Sequence, residues 1–306
     1  MSVEPFMITV PGSTANLGPG FDSVGLAVDR YLTLVAKPAD AWSFYSESPD
    51  LKGVPTDEEN LIYKVAKQVA DTYGYMLTPC EVEMTSDIPL TRGLGSSAAA
   101  IVAGIELANQ QMNNVLSPEE KVRLSSLWEG HPDNVAASVY GGLIIGTHTE
   151  EATHVLYGGV PEVDLVVVIP KHELLTKKAR GVLPESLPYK KAVRGSGVAN
   201  VLVAALLQGN FSLAGEMMSA DIFHHPYRGE LVPHLQDVID VVREDTDAYG
   251  AALSGAGPTI FCLAPLNRGE AVKEVLSKRF PDFEIDVLAP AKHGVCVKVP
   301  SYLREA

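Results

Sequence analysis

CEVEMTSDIPLTRGLGSSAAAIVAGIELA, residues 80–108, joins an alternating segment, a glycine-rich bend and an alanine-rich helical text. Cys80, Val82 and Met84 alternate with Glu81, Glu83 and Thr85, the pattern of a strand wet on one face. A strand that feeds a P-loop or a dinucleotide-binding loop is normally central, parallel and apolar on both faces. A half-exposed strand before the glycines therefore points to a different architecture. A P-loop also carries a lysine just before its Ser/Thr, and here that place falls to Gly95 or Ser96. No G-x-G-x-x-G is present, which sets aside a dinucleotide-binding oxidoreductase.

The bend still suits an anion. Gly93 and Gly95 let the backbone take positive φ and approach a ligand, and a helix start offers unpaired N–H groups at a positive dipole end. Ala98, Ala99 and Ala100 are small enough for a triphosphate to lie over the first turn, and Ser97 has a hydroxyl for Mg²⁺. The plain alternative is a tight strand-to-helix turn with a serine N-cap.

Upstream, FMITV and YLTLVA have strand character. TDEENLIYKVAKQVADTYG places Leu61, Ile62, Val65, Ala66 and Val69 on one helical stripe, with Gly74 as a natural stop. Downstream, SPEEKVRLSSLWEG opens on a capping box of Ser117 and Glu120 with Pro118 at the first helical position. The second half reads strand (163–169), helices (about 196–244), strand (249–254), strand (259–263), helix (269–280), strand (284–288). That approximates the ferredoxin-like β-α-β-β-α-β order with extra helices inserted. A domain boundary is expected between Tyr157 and Val163, giving domains over 1–160 and 161–306.

The 306 residues suffice for one large or two ordinary domains with their own cores. A formal net charge of −14 argues against nucleic acid or an anionic membrane as main partner. Cys80, Cys262 and Cys296 have no metal or disulfide spacing and read as buried thiols in a reducing compartment. MSVEPFMITV lacks a basic leader region, and the longest uncharged stretch is broken by Gly and Pro. A cytoplasmic protein is expected.

Three further segments can carry chemistry. EGHPDNVAASVYGG (129–142) gathers Glu129, His131, Asp133 and Asn134 at a helix start, with Pro132 at its first position; on its own it reads as ordinary capping by a polar cluster. LSGAGPTI (253–260) is either a hairpin with a glycine bulge or a second backbone wall against a ligand. VPGSTANLGPGFDSVGLAVD (10–29) is longer than a hairpin needs; on its own it reads as a surface loop of turn residues, although Asn16 and Asp22 suit an amino group.

Together and in this order, PGSTANLGPGFDSVGLAV, PLTRGLGSSAAA, EGHPDNVAAS, LTKKARGVLP, HHPYRGELVP and LSGAGPT resemble the GHMP small-molecule kinases, and within them the homoserine kinase branch. The likeness covers nearly the whole chain. It implies an α+β, two-domain fold with a ribosomal-protein-type β-α-β domain, a ferredoxin-like domain and the active site in the cleft between them. It implies ATP-dependent phosphorylation of the side-chain hydroxyl of L-homoserine. On this resemblance Pro89, Leu90, Thr91, Arg92, Gly93, Leu94, Gly95, Ser96, Ser97, Ala98 and Ala99 cradle the triphosphate, and Asn60, Leu61 and Ile62 meet the adenine. Ser97 and Glu129 hold Mg²⁺, which supplies the positive charge that the missing lysine does not. Arg180 and Arg228 meet the substrate carboxylate, Asp22 takes its ammonium with Asn16 or His131, Thr176 lies beside Arg180, and Asn134 orients the hydroxyl. Asp133 matches a residue proposed as base in other branches; a hydroxyl pinned by Asn134 and deprotonating late would also suffice. A homodimer is the default for such enzymes. The competing readings are a kinase of the mevalonate, sugar or shikimate type, and a non-catalytic sensor of the same fold.

Overall fold

A computed structural model describes residues 4–299. The first three residues of the stretch read for a leader lie outside the described residues. A long strand organises the first sheet. β1 (Phe6–Ala15) pairs antiparallel with β2 (Val24–Pro38) along most of its length. On its other edge β2 pairs through Leu32–Pro38 with β4 (Cys80–Ser86) and through Val24–Leu26 with β5 (Leu143–His148). β3 (Ser43–Tyr45) runs parallel to β4, β6 (Thr153–Tyr157) forms a hairpin with β5, and β11 (Cys296–Lys298) returns to pair with β1. β4 alternates as expected: Cys80, Val82, Met84 and Ser86 are buried while Glu81, Glu83 and Thr85 are exposed.

Two sequence expectations change here. Both early strands are longer than FMITV and YLTLVA, because a register shift between Pro11 and Gly12 lets the ladder continue past a residue with no N–H. The run expected as a surface loop is buried throughout residues 11–20. Cys80 and Cys262 are buried, as expected, and burial pushes their thiols up to about 11 and about 12. Cys296 is exposed instead, because β11 is an edge strand.

Four helices pack on this sheet. α1 (Leu61–Thr72) buries Ile62, Val65, Ala66, Val69 and Ala70, the expected stripe. α2 (Ser96–Gln111) is buried nearly all round from Ala98 to Asn109, which its small residues permit at the centre of a layer. α3 (Pro118–Glu129) has the capping box in place. α4 (Asp133–Tyr140) starts one residue later than expected: Pro132 is the N-cap, its carbonyl accepting from Ala136 N at 2.8 Å. α4 reaches β2 closely because Gly25 has no side chain; a Cβ there would overlap the Asp133 carbonyl.

The second sheet contains β7 (Val163–Ile169), β8 (Gly250–Leu253), β9 (Ile260–Pro265) and β10 (Glu284–Leu288) in the antiparallel order β10-β7-β9-β8. Counted within this sheet the order is 4-1-3-2, the ferredoxin-like arrangement. Between β7 and β8 lie α5 (Thr176–Gly181), α6 (Tyr189–Leu207), α7 (Phe211–Ser219), α8 (His225–Arg228) and α9 (Leu235–Asp245); α10 (Gly269–Arg279) precedes β10. The helical region therefore begins at 176 rather than about 196. α5 is too short and polar to show an apolar stripe. Leu165, Val167, Phe261 and Leu263 join one continuous core with the first sheet, while Val166, Val168, Ile260 and Cys262 pack on α9 and α10. No described helix is long and apolar enough to cross a membrane.

Candidate active site

A cleft opens where the end of β1, the glycine bend, the start of α4, α5 and the β8–β9 turn meet. One end is built of backbone. The N-cap of α2 is Gly95, in the left-handed region at φ 76°, with no side-chain cap, so the serine-capped turn is not what forms. The first helical bond runs from Ala99 N to Gly95 O at 2.9 Å. Among the described residues, the N–H groups of Ser96, Ser97 and Ala98 have no acceptor, and all three residues line the cleft. A Cβ on Gly95 would strike Ser13. The bend is pinned from both domains: Ser13 N donates to Leu94 O at 3.1 Å, Ser254 Oγ to Gly93 O at 2.6 Å, and Thr259 N to Arg92 O at 3.1 Å. The β8–β9 turn is thus a second wall, and its Gly255, Ala256 and Gly257 line the cleft.

Ser97 Oγ lies 3.5 Å from Glu129 Oε2 across this end. Burial raises the Glu129 carboxyl, against the lowering effect of nearby His131. Behind Glu129, His131 Nδ1 lies 2.5 Å from Asp133 Oδ1, which also accepts from Asn134 N at 2.7 Å. Burial pulls the His131 imidazole down, but Asp133, Asp22 and Glu129 outweigh it and raise the group overall. Asn134 donates through Nδ2 to Ser13 Oγ at 3.0 Å.

The other end is built of charged side chains. Arg180, from α5, holds Asp22 by two hydrogen bonds, Nη1 to Oδ2 at 3.0 Å and Nη2 to Oδ1 at 2.7 Å. Arg228 is buried in α8 and donates to Ala179 O at 3.2 Å and Gly255 O at 3.0 Å. Burial and the neighbouring Arg180 lower it to about 10, so it stays charged at neutral pH. Both guanidinium groups lie over the Phe21 ring, 5.6 Å and 5.2 Å from its centroid.

Of the residues singled out in the sequence, Asn16, Asp22, Thr91, Gly93, Gly95, Ser96, Ser97 and Ala98 line this one cleft, and so do Glu129, His131, Asp133, Asn134, Thr176, Arg180 and Arg228. Others are placed elsewhere. Leu94 and Ala99 are buried beneath the bend, and Pro89 and Leu90 lead into it. Arg92 turns aside, donating to Lys171 O at 2.8 Å and lying 3.7 Å from Glu173. Asn60 caps α1 by accepting from Ile62 N at 2.9 Å; it, Leu61 and Ile62 are not among the lining residues. Asn16 spends its side chain on the loop, accepting from Asp22 N and donating to Gly255 O, each at 3.0 Å.

Sequence profiles described as "GHMP kinases N terminal domain" and "GHMP kinases C terminal" match residues 60–142 and 202–282. The chain is 65% identical over 293 residues to the homoserine kinase of Halalkalibacterium halodurans, covering 96% of this chain and 95% of that one. The chain belongs to the homoserine kinase family of GHMP kinases. A second member, the homoserine kinase of Shouchella clausii, is 56% identical over 96% of this chain and 98% of its own. The crystal structure of the Cytophaga hutchinsonii homoserine kinase superposes with a TM-score of 0.85 at 30% identity, covering 97% of this chain and 99% of that one.

Against this family background, Ser13, Phe21, Leu174 and Leu175 escaped the reading of the sequence. Ser13 anchors both the bend and Asn134, and the two leucines form wall. Phe21 shows in the sequence only as an aromatic lodged between Gly20 and Asp22, in a run that reads as a surface loop.

Proposed function

We propose that this chain transfers the γ-phosphoryl group of ATP to the side-chain hydroxyl of L-homoserine in this cleft. The observation that carries the reading is the pairing, in one cleft, of an uncapped helix start with a carboxylate–guanidinium site. The free N–H groups of Ser96, Ser97 and Ala98 and the dipole of the 16-residue α2 would receive the triphosphate. Ser97 and Glu129 offer two hard oxygen donors close together, a set that fits Mg²⁺. When bound, Mg²⁺ supplies the concentrated positive charge that a P-loop takes partly from its lysine.

Homoserine is a zwitterion, and the Asp22–Arg180 pair has the complementary charges. Arg180 would exchange Asp22 for the substrate carboxylate, shared with Arg228, while Asp22 takes the ammonium. No charge is left unpaired by that exchange. Asn134 would orient the hydroxyl toward the γ-phosphate. Asp133 holds His131 and the Asn134 N–H through one oxygen, which suits it to fixing the site rather than receiving the proton. The transition state of phosphoryl transfer is loose, so alignment and charge stabilisation carry most of the catalysis. A cytoplasmic location and a homodimer complete the proposal; they rest on composition and on the habit of such enzymes.

The test is ATP consumption with L-homoserine, R-mevalonate, galactose or shikimate as acceptor, with and without Mg²⁺. Turnover with homoserine alone, dependent on Mg²⁺, is expected. Turnover with another acceptor and none with homoserine would overturn the assignment.

A further inference from the structure

Asp221, His224 and His225 form a buried group beneath the amino-acid end, with ligand atoms close enough together to suggest a metal site. Their hydrogen bonds argue otherwise. Asp221 accepts from the N–H groups of Phe223, His224 and His225 at 2.8, 3.0 and 2.7 Å, fixing the entry to α8. His225 Nε2 accepts from Leu253 N at 3.1 Å, so its lone pair is spent on β8. His224 Nε2 lies 2.8 Å from Gly18 O, and a carbonyl can only accept, so this nitrogen carries the proton. The remaining His224 nitrogen, Nδ1, faces Arg228 Nη1 at 3.4 Å. Arginine can only donate, so Nδ1 must offer its lone pair and the imidazole must be neutral. Complete burial pushes His224 down to about 3, in agreement with that state.

This imidazole therefore joins two parts of the site. Gly18 belongs to the loop that carries Asp22, and Arg228 is the buried guanidinium of the cleft. The Phe21 ring stacks on His224 with centroids 5.2 Å apart and lies under both arginines. With Nε committed to Ala179 and Nη1 to Gly255 and His224, Nη2 makes no hydrogen bond among the described residues and is the donor left for the cleft. We infer that His224 is a positioning residue for the kinase reaction: as a neutral acceptor tied to the Asp22 loop, it fixes Arg228 so that its unspent edge meets the substrate carboxylate. The inference rests on the proposed role of Arg228 as a carboxylate partner.

Asparagine and glutamine separate the two halves of the imidazole. An asparagine amide in place of the ring reaches roughly where Nδ1 lies and keeps an acceptor for Arg228, whereas a glutamine reaches roughly where Nε2 lies and keeps only the Gly18 contact. His224→Asn is expected to hold KM for homoserine within about threefold, while His224→Gln raises it about tenfold, both leaving KM for ATP within about twofold. In an Arg228→Lys background the difference between the two should vanish. Equal effects of the two substitutions, or equal losses in both KM values, would overturn the inference. If Arg228→Lys leaves KM for homoserine unchanged, it is the carboxylate role of Arg228 that fails, and the inference with it. A measurement on the unaltered protein needs no variant to fold: ¹⁵N imidazole shifts at pH 7 should show His224 neutral with its proton on Nε2. An imidazolium, or a proton on Nδ1, would contradict the assignment.

Discussion

The two ends of the cleft solve charge recognition in opposite ways. At the proposed phosphate end the donors are main-chain N–H groups left open by an uncapped helix, and the arginine of the bend itself, Arg92, is tied to Lys171 O. At the proposed amino-acid end the groups are charged side chains: Asp22 is paired with Arg180, and Arg228 is held by His224 and two carbonyls with Nη2 left open. The first end is held by backbone shape, which substitution changes only where a glycine is required. The second is held by complementary charge, which a single substitution leaves unbalanced. Changes at the amino-acid end should therefore be costly and substrate-selective, whereas at the phosphate end only a required glycine or the proposed Mg²⁺ donors Ser97 and Glu129 should be sensitive.

The largest effect is expected from Arg180→Gln. It strips Asp22 of its partner and the substrate of a carboxylate donor, so kcat/KM for homoserine should fall about 10²- to 10³-fold while KM for ATP stays within about threefold. A matching rise in KM for ATP would show that the ends are not separate. Next, Gly95→Ala forces a side chain into a left-handed conformation against Ser13; steady-state kinetics should show KM for ATP raised about 30-fold, with homoserine binding in the absence of nucleotide little changed.

Acid should destabilise the fold through the two buried histidines beneath the amino-acid end. His224 and His225 are lowered by burial to about 3 and about 4, below the value near 6.5 of an unfolded histidine. Below pH 6.5 these sites bind more protons in the unfolded chain, so their stabilisation is complete above that pH and is lost as pH falls toward about 4 for His225 and about 3 for His224. The loss is up to about 1.4 kcal/mol per pH unit for each histidine. Urea unfolding at pH 7.5 and 5.5 should show it, and His225→Gln should flatten the slope. A smaller effect is expected from Asp133→Asn, a kcat loss under about tenfold if the carboxylate only fixes His131 and Asn134. A loss of about a thousandfold would restore Asp133 as base. Smallest of all, Arg92→Gln should alter KM for ATP less than about threefold, since its guanidinium does not face the cleft.

The same contrast governs what the sequence discloses. Alternation in β4, the stripe of α1 and the capping box of α3 are local patterns, and each forms where the residues indicate. The element order of the second half suffices for its sheet. The charged groups at the amino-acid end are assigned only through the family resemblance; by itself Arg180 in TKKAR reads as a surface charge. What stays hidden depends on distant partners: β2 extends back to Val24 because β5 pairs with it, and the run from Pro11 to Gly20 is buried by residues far along the chain. Arg92 looks like a phosphate ligand until the 171–173 segment folds over it. Asn60, which the resemblance sets beside the adenine, caps α1 through Oδ1 and donates through Nδ2 to Pro55 O, contacts that the stripe of α1 does not disclose. His224 opens the HHPYRGELVP segment, but nothing local gives it a task, since its contacts to Gly18 and Arg228 exist only in the folded chain.

The most direct test is a crystal structure with a non-hydrolysable ATP analogue and L-homoserine. The triphosphate is expected on the N–H groups of Ser96, Ser97 and Ala98, with the Asp22–Arg180 pair opened and the substrate carboxylate between Arg180 and Arg228. A triphosphate held by side chains away from the start of α2, or an amino acid bound with the Asp22–Arg180 pair intact, would contradict the account.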